Sequence, residues 1–268
     1  FPLVLEFCPN CANLQLKDCL DINNLYKHYY YITPKSNTLE NHYEQLTEFL
    51  ESNNYLNQNS NVLEIGSNLG LYLNHIRKKV KTILGIDPAK NIARKANESG
   101  IPTICDFFNE NSAEKMVKEN KTFELVVARH CFAHNESPLN LLRGVKKILS
   151  KNGFLVIENA YSLNTLENNE FDQIYHEHMF YFSIQSIMEA LKRNGLYLHD
   201  VFMSLIHGGS IVFIASHLSS NRVKSESLKK NLENEKNYLN INSINLFSSN
   251  TFSLKKELNK LISNLIIK

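Results

Sequence analysis

Residues 62–70 read VLEIGSNLG, an apolar run of strand type that leads into a turn with two glycines. Gly66 lets the backbone turn tightly, and Gly70 lets a ligand approach the start of the following helix. Asp87 ends the next apolar run, TILGID, close to the offset of about 20 residues at which an acidic residue meets ribose hydroxyls. The spacing predicts a strand–turn–helix unit that binds a nucleoside-type ligand.

The glycine spacing distinguishes between nucleoside ligands. Because three residues separate Gly66 from Gly70, the motif is not the dinucleotide signature GxGxxG and offers no pyrophosphate cradle. It suits a ligand with ribose and adenine but no phosphates, which points to S-adenosylmethionine (SAM). The alternative is an ordinary strand–turn–helix whose glycines serve geometry alone. The candidate cofactor-binding residues are Glu64, Gly66, Ser67, Asn68, Gly70, Asp87, Pro88, Asp106 and Phe107.

Strand-type runs alternate with segments of helical spacing through the first part of the chain. This alternation predicts βαβ units and a mostly parallel sheet. Right-handed crossovers place the carboxyl ends of parallel strands on one edge, where ligands bind. Gly66, Asp87, Asp106 and His130 each follow a strand end, which supports a site there. The predicted strands are 61–65, 82–87, 103–105, 123–128 and 153–158, and the predicted helices are 39–52, 70–80, 92–99 and 139–149.

The remaining segments are predicted in the same way. A helix is expected at 184–194, and strands at 198–202 and 210–216 flank the turn His207-Gly208-Gly209. We favour slightly a turn role for His207 over a place in the site. Leucines recur at helical intervals in the tail, which predicts an amphipathic helix without an obvious partner in the chain. They are Leu254, Leu258, Leu261 and Leu265.

Composition excludes several classes of protein. The 268 residues include 29 basic and 27 acidic ones, and a net charge of +2 leaves no electrostatic footprint for nucleic acid. No apolar run is long enough to span a bilayer, so no membrane partner is expected. The five cysteines are scattered and no secretory signal precedes them, which predicts a cytoplasmic protein. No pattern indicates an oligomeric state.

Residues 171–183, FDQIYHEHMFYFS, form a second informative segment. Tyr175, His176, Glu177 and His178 are consecutive between apolar flanks, which is a poor way to build a core and a good way to build a proton-transfer site. In an extended segment Tyr175 and Glu177 would share one face, while His176 and His178 would share the other. A bend would be needed for all four side chains to converge.

From about Leu3 onward the sequence resembles the SAM-dependent sugar C-methyltransferases that act on nucleotide-linked (dTDP-type) 4-keto-deoxyhexoses. The block YHEH with its sequel FYFS is the most specific part of the resemblance, whereas the glycine motif is general among methyltransferases. Further matching segments are FCPNCANLQL (7–16), YYYIT (29–33), LGIDPAKNIA (84–93), GIPTICDFF (100–108) and HGGS (207–210).

The resemblance implies a three-part α/β chain around a Rossmann-like class I methyltransferase sheet. Residues 1–33 would be a partial zinc-binding N-terminal domain, 34–160 the SAM-binding domain, and 161–268 the start of a C-terminal domain with substrate-site residues. Cys8 and Cys11 match one half of a four-cysteine structural zinc site. Members of the family carry a second CxxC upstream and continue past the tail helix, so the resemblance implies truncation at both ends.

The resemblance also assigns roles around a nucleotide-sugar substrate. His178 would be the base that takes a proton from the carbon next to the ketone, Tyr175 a donor or orienting group, and Glu177 the residue that orients a partner or tunes its pKa. For His176 a catalytic and a structural role are equally open. Tyr31 and His134 match positions near the active site of the family.

Two other readings remain open. The first is a SAM-dependent O-methyltransferase, in which YHEH would be incidental. The second is a catalytically decayed sugar-nucleotide-binding or scaffold subunit, which local departures from the family pattern favour somewhat. Leu69 stands where an acidic residue is usual, and Arg129-His130-Cys131 replaces an Asn-rich stretch.

Overall fold

The computed structural model of the protein describes residues 2–26 and 29–266, so residues 1 and 27–28 of the predicted N-terminal domain lie outside the described part. The strands are β1 (Leu5–Cys8), β2 (Asn13–Leu16), β3 (Asn61–Ile65), β4 (Thr82–Ile86), β5 (Thr103–Ile104), β6 (Phe123–Arg129), β7 (Leu149–Ala160), β8 (Phe180–Tyr181), β9 (Leu196–Ser204) and β10 (Ser210–His217). The helices are α1 (Ile22–Tyr26), α2 (Asn37–Ser52), α3 (Leu71–Ile76), α4 (Lys90–Glu98), α5 (Glu110–Lys118), α6 (Pro138–Ile148), α7 (Ser162–Glu167), α8 (Ile184–Arg193), α9 (Glu226–Tyr238) and α10 (Ile241–Ile266).

The central sheet has seven strands in the order β5-β4-β3-β6-β7-β10-β9. From β5 to β7 the strands are parallel, and β10 runs antiparallel to both of its neighbours. The chain moves outward from β3 to β5 and then returns to the other side of β3 at β6. The strand order therefore reverses between β3 and β6, where such sheets bind ligands. The predicted Rossmann-like fold is confirmed.

Helices cover both faces of this sheet. One face packs against α5, α6 and α8, and the other against α2, α3 and α4. Burial on both faces explains why the inner strands read as continuous apolar runs without alternation.

Some elements differ from the prediction. Helix α5 has few apolar residues and was not predicted; it begins with a capping box in which the Asn109 side chain accepts from the Ser112 amide and the Ser112 hydroxyl accepts from the Asn109 amide. Helix α3 ends at Ile76 rather than at residue 80, and β7 extends from Leu149 to Ala160.

The predicted domain boundary at residue 160 falls inside the central sheet. β10 pairs with β7 from Ser210–Ala160 to Ala215–Leu155, and β9 completes the edge. Residues on both sides of the boundary thus share one hydrophobic core.

The N-terminal segment forms a separate antiparallel sheet, β1-β2-β8. β2 pairs with β8 through Leu14–Tyr181 and Gln15–Phe180, which anchors the segment beside the YHEH block. Cys8 and Cys11 lie at the β1–β2 turn. Within the described residues, no group of three or more His, Cys, Asp or Glu side chains could hold a metal ion. Two thiols do not by themselves complete a tetrahedral zinc shell, so Cys8 and Cys11 stay a prediction for one half of a zinc site.

The tail forms two helices, α9 and α10. The amphipathic α10 buries Phe247 near its start, while Leu254, Leu258, Leu261 and Leu265 farther along are exposed. In residues 2–26 and 29–266, no helix combines the length and the apolarity that a bilayer crossing requires.

Candidate active site

A cavity of about 580 Å³ opens at the carboxyl edge of the central sheet. Residues that follow β3, β4, β5 and β6 line it, together with the end of β7, residues from 22–26 and 29–33, and the turn around the YHEH block. The predicted cofactor loop and the predicted proton-transfer segment therefore face the same space.

The two glycines of the loop have different reasons to be glycine. Gly66 has φ +64°, and a Cβ atom there would lie 2.6 Å from Cβ of Cys131. Gly70 has φ +69°, and a Cβ atom there would lie 2.5 Å from Cγ2 of Ile101. Gly66 lines the cavity, whereas Gly70 does not. Close packing on Ile101 thus explains the glycine at residue 70, and its role in ligand approach stays a prediction.

Asp87 lies at the end of β4 and lines the cavity beside Pro88. Its carboxylate accepts from the backbone amides of Asn68 and Ala89, each at 2.9 Å. Burial raises its pKa, and the two amide donors oppose that effect. Because a carboxylate offers about four lone-pair sites, Asp87 can accept further hydroxyl donors from the cavity.

The other predicted cofactor residues divide into two groups. Ser67, Asn68 and Phe107 line the cavity, but Glu64 and Asp106 do not. Glu64 is buried within the fold and accepts from Nε of Arg129 at 3.0 Å. Asp106 lies 3.5 Å from Nζ of Lys115. Both carboxylates are thus paired with cations, and their predicted role in cofactor binding stays a prediction.

Arg129, which the sequence marked only as a departure from the family pattern, organises a buried charge network. Its guanidinium stacks between the rings of Tyr43 and Tyr72 at 4.6 and 4.7 Å and lies 3.9 Å from Glu158. Burial raises the pKa of Glu64 to about 6 although Arg129 opposes it. Burial would also raise the pKa of Glu158, but the neighbouring His130, His42 and Arg129 lower it to about 2.

The YHEH block is a turn and not an extended segment. The amide of His178 donates to the carbonyl of Tyr175 at 3.0 Å, which closes the turn. As a result Tyr175, Glu177 and His178 all line the cavity, and His176 does not. The two-face division of an extended segment does not apply, because the backbone has the bend that convergence requires, and this bend brings three of the four residues to the cavity.

The hydrogen bonds of His178 define its tautomer. Nδ1 lies 2.9 Å from the carbonyl oxygen of Gln173, and Nε2 lies 2.8 Å from the Tyr175 hydroxyl. A carbonyl can only accept, so Nδ1 carries the proton and Nε2 keeps its lone pair. Burial lowers the pKa of His178, which favours the neutral imidazole. Nε2 is therefore a base whose present partner is a hydroxyl donor.

Glu177 and His134 lie beside this base. The Tyr29 hydroxyl donates to Oε2 of Glu177 at 3.3 Å, and Nδ1 of His134 lies 3.1 Å from the Tyr26 hydroxyl. The rings of His134 and His178 are 4.9 Å apart between centroids. Burial, assisted by neighbouring histidines, lowers the pKa of His134 to about 3, so its imidazole is neutral.

The tyrosine segment is tied to the cofactor loop through Asn68. The Asn68 side chain donates to the carbonyl of Tyr31 at 3.2 Å and accepts from the amide of Thr33 at 3.1 Å. Tyr31 lines the cavity with its ring about half exposed. The same residue that donates its amide to Asp87 thus positions a wall of the cavity.

The β7–β10 end of the cavity contains more lining residues than the sequence predicted. His130 and His207 both line it with positive φ angles of 48° and 53°, and their rings meet edge to face at 4.7 Å. His207 therefore combines the predicted turn role with a place in the site. Asn159 and Gln173 were missed, although Asn159 directly follows a predicted strand and that position was a usable signal.

Comparisons with known proteins agree with this geometry. A sequence profile described as "Methyltransferase domain" matches residues 38–201. The C-methyltransferase NovU of Streptomyces niveus is 33% identical over 216 residues, which cover 81% of this chain and 51% of NovU. The chain thus spans about half the length of this curated relative.

Solved structures show the same fold at low sequence identity. The plantazolicin methyltransferase BpumL, solved with SAH, superposes with a TM-score of 0.51 at 14% identity, over 68% of this chain and 86% of BpumL. The magnesium protoporphyrin IX methyltransferase ChlM of Synechocystis PCC 6803 gives a TM-score of 0.50 at 11% identity, over 70% of this chain and 90% of ChlM.

Proposed function

Because the chain belongs to the methyltransferase-domain family, we propose that it is a SAM-dependent C-methyltransferase acting next to the ketone of a nucleotide-linked keto-deoxysugar. One observation carries the proposal: Gly66 and Asp87 of the cofactor loop region line the same cavity as the neutral base His178. The similarity to NovU, a C-methyltransferase, supports transfer to carbon.

The residues at the β3–β5 end of the cavity fit SAM. Asp87 has lone pairs left for the ribose hydroxyls, and Phe107 offers an aromatic face for adenine. The hydroxyl of Ser67 is buried without a hydrogen-bond partner among the described residues. When bound, SAM supplies an electrophilic methyl group on a sulfonium.

His178 would act as the base for the acceptor carbon. A C–H group beside a ketone is only weakly acidic, so it needs both a positioned base and stabilisation of the enolate oxygen. As the C–H bond breaks, the proton goes to Nε2 of His178 and the electron pair moves through the new C=C bond onto the ketone oxygen. For this the Tyr175 hydroxyl must leave Nε2, which frees its O–H for the substrate.

Glu177 and His134 would orient the cluster. Glu177 holds the Tyr29 hydroxyl, and His134 contacts the His178 ring and stays neutral beside it. A second cation next to His178 would lower its basicity, so a neutral His134 favours proton abstraction. His176 has no assigned part because its side chain does not line the cavity.

Solvent exchange tests this proposal. In D2O with dTDP-4-keto-6-deoxyglucose as the probe, we expect the protein to exchange the hydrogen next to the ketone and, with SAM, to add one methyl group, both measured by mass spectrometry. His178→Gln should lower both rates by about 10²–10⁴-fold with SAM affinity unchanged.

A matched control is His217→Gln, because His217 bonds to the carbonyl of Leu149 and does not line the cavity. It should leave both rates unchanged. Methyl transfer without exchange, or exchange that survives in His178→Gln, contradicts the proposal. The first of these outcomes would indicate O-methylation.

A further inference from the structure

Asn159 is a buried amide without a structural explanation. It is 2% exposed and lies next to the end of β7, with Ile211 of β10 as its backbone partner. Neither Nδ2 nor Oδ1 has a hydrogen-bond partner among the described residues. Buried polar groups are almost always paired, since an unpaired one costs free energy of folding. An apolar side chain would suit the fold better, so the amide indicates a ligand.

Asn159 lines the cavity together with Gln173, His178 and His207. Nδ1 of His178 contacts the carbonyl of Gln173, whose side-chain amide donates to the carbonyl of His207. His207 precedes β10, which pairs with β7 at Asn159. The backbone of Asn159 therefore lies beside the strand that follows His207, and His207 is linked through Gln173 to the base.

Three other side-chain donors that line the cavity already have partners. The Tyr29 hydroxyl donates to Glu177, and the guanidinium of Arg129 is held by Glu64 and two tyrosine rings. The Gln173 amide is used by His207. Asn159 differs from them because its N–H groups are committed to nothing in the described chain.

We propose that Asn159 donates a hydrogen bond to the ketone oxygen of the acceptor and stabilises the enolate that forms when His178 takes the proton. This rests on the proposed function. The bulky nucleotide must remain toward the opening, where Tyr175 is 41% exposed, so the small keto end reaches the buried floor. A preorganised N–H donor in a dry site is the group that stabilises developing negative charge on oxygen.

The test uses Asn159→Leu, which keeps the size of the side chain and removes the donor. Solvent exchange and methyl transfer on dTDP-4-keto-6-deoxyglucose should fall by about 10²–10³-fold, with SAM affinity unchanged by calorimetry. The melting temperature should stay the same or rise, because the variant removes an unpaired buried amide.

The matched control is Asn194→Leu. Asn194 is also a buried asparagine, but its amide donates to the carbonyl of Ala190 at 2.8 Å. This variant should lower the melting temperature and leave the exchange rate of the folded protein unchanged. The two variants should therefore differ in opposite ways. Asn159→Leu should lower the exchange rate without loss of stability, and Asn194→Leu should lower the stability without loss of the exchange rate.

A second measurement reports on the ketone itself. With a ¹³C-labelled carbonyl in the probe, bound to His178→Gln to prevent turnover, the carbonyl stretch should lie at lower frequency than in the double variant with Asn159→Leu. Equal frequencies, exchange within threefold of the parent protein, or loss of SAM affinity in Asn159→Leu would overturn the inference. Absence of exchange in the parent protein would instead refute the proposed function, and this inference with it.

Discussion

Replacement of Arg129 by methionine tests the buried charge network. Nε of Arg129 lies 3.0 Å from Glu64, with the two side chains 11% and 2% exposed. At an effective dielectric constant of about 20, unit charges at this separation attract by roughly 5 kcal/mol. Arg129→Met leaves Glu64 buried without its cation, and such losses destabilise proteins by about 3–5 kcal/mol.

For a chain of this size we expect the melting temperature to fall by about 10 °C, measured by circular dichroism. Urea unfolding gives the free energy directly. The double variant Glu64→Gln/Arg129→Met should recover part of the loss, because it removes the unpaired charge. The double-mutant cycle should then give a coupling energy above about 1 kcal/mol.

The matched control is Arg143→Met. Nε of Arg143 lies 2.8 Å from Glu110, a similar contact, but these side chains are 47% and 30% exposed. Exposed ion pairs contribute little because water screens them, so the melting temperature should not change measurably. Equal shifts for Arg129→Met and Arg143→Met, or strictly additive effects in the cycle, would refute the argument that burial gives the Arg129 network its strength.

Three further predictions concern the cavity. Asp87→Asn should weaken SAM binding about tenfold or more in calorimetry, because it removes the carboxylate that accepts the ribose hydroxyls. The rate constant kcat/KM should decline on acidification only below the ordinary histidine pKa of about 6.5, because burial lowers the pKa of His178 and the base works only when neutral. Gly66→Ala should lower the melting temperature more than Gly100→Ala, since both glycines have positive φ but only the Cβ atom at residue 66 meets a neighbour, Cys131.

A specific outcome would contradict each of these three predictions. Unchanged SAM affinity in Asp87→Asn would contradict the prediction that Asp87 binds the ribose hydroxyls of SAM. A decline of kcat/KM that begins above about pH 6.5, the ordinary histidine pKa, would mean that a group other than the buried His178 limits the rate. Equal melting temperatures for the two alanine variants would show that the loop at residue 66 relaxes around Cys131.

The successes and errors of the sequence-based predictions have physical causes. The inner strands were predicted because burial on both faces makes them continuously apolar. Helix α5 was missed because its start depends on the Asn109–Ser112 capping box and its apolar face is short. Glu64 was predicted to bind the cofactor from its place in the glycine motif and Asp106 from its place after a strand. Neither position defines which way a side chain points, and neither residue lines the cavity.

The sequence by itself determined the parallel sheet, the edge at which the cavity opens and the chemical character of the YHEH block. These features follow from local periodicity and from the fixed handedness of crossovers. The tertiary structure alone decided that the YHEH turn brings Tyr175 onto Nε2 of His178, that Arg129 pairs with Glu64, and that Asn159 lines the cavity with its amide unpaired. Such outcomes depend on the backbone bend and on contacts between segments distant in the chain, which no local pattern encodes.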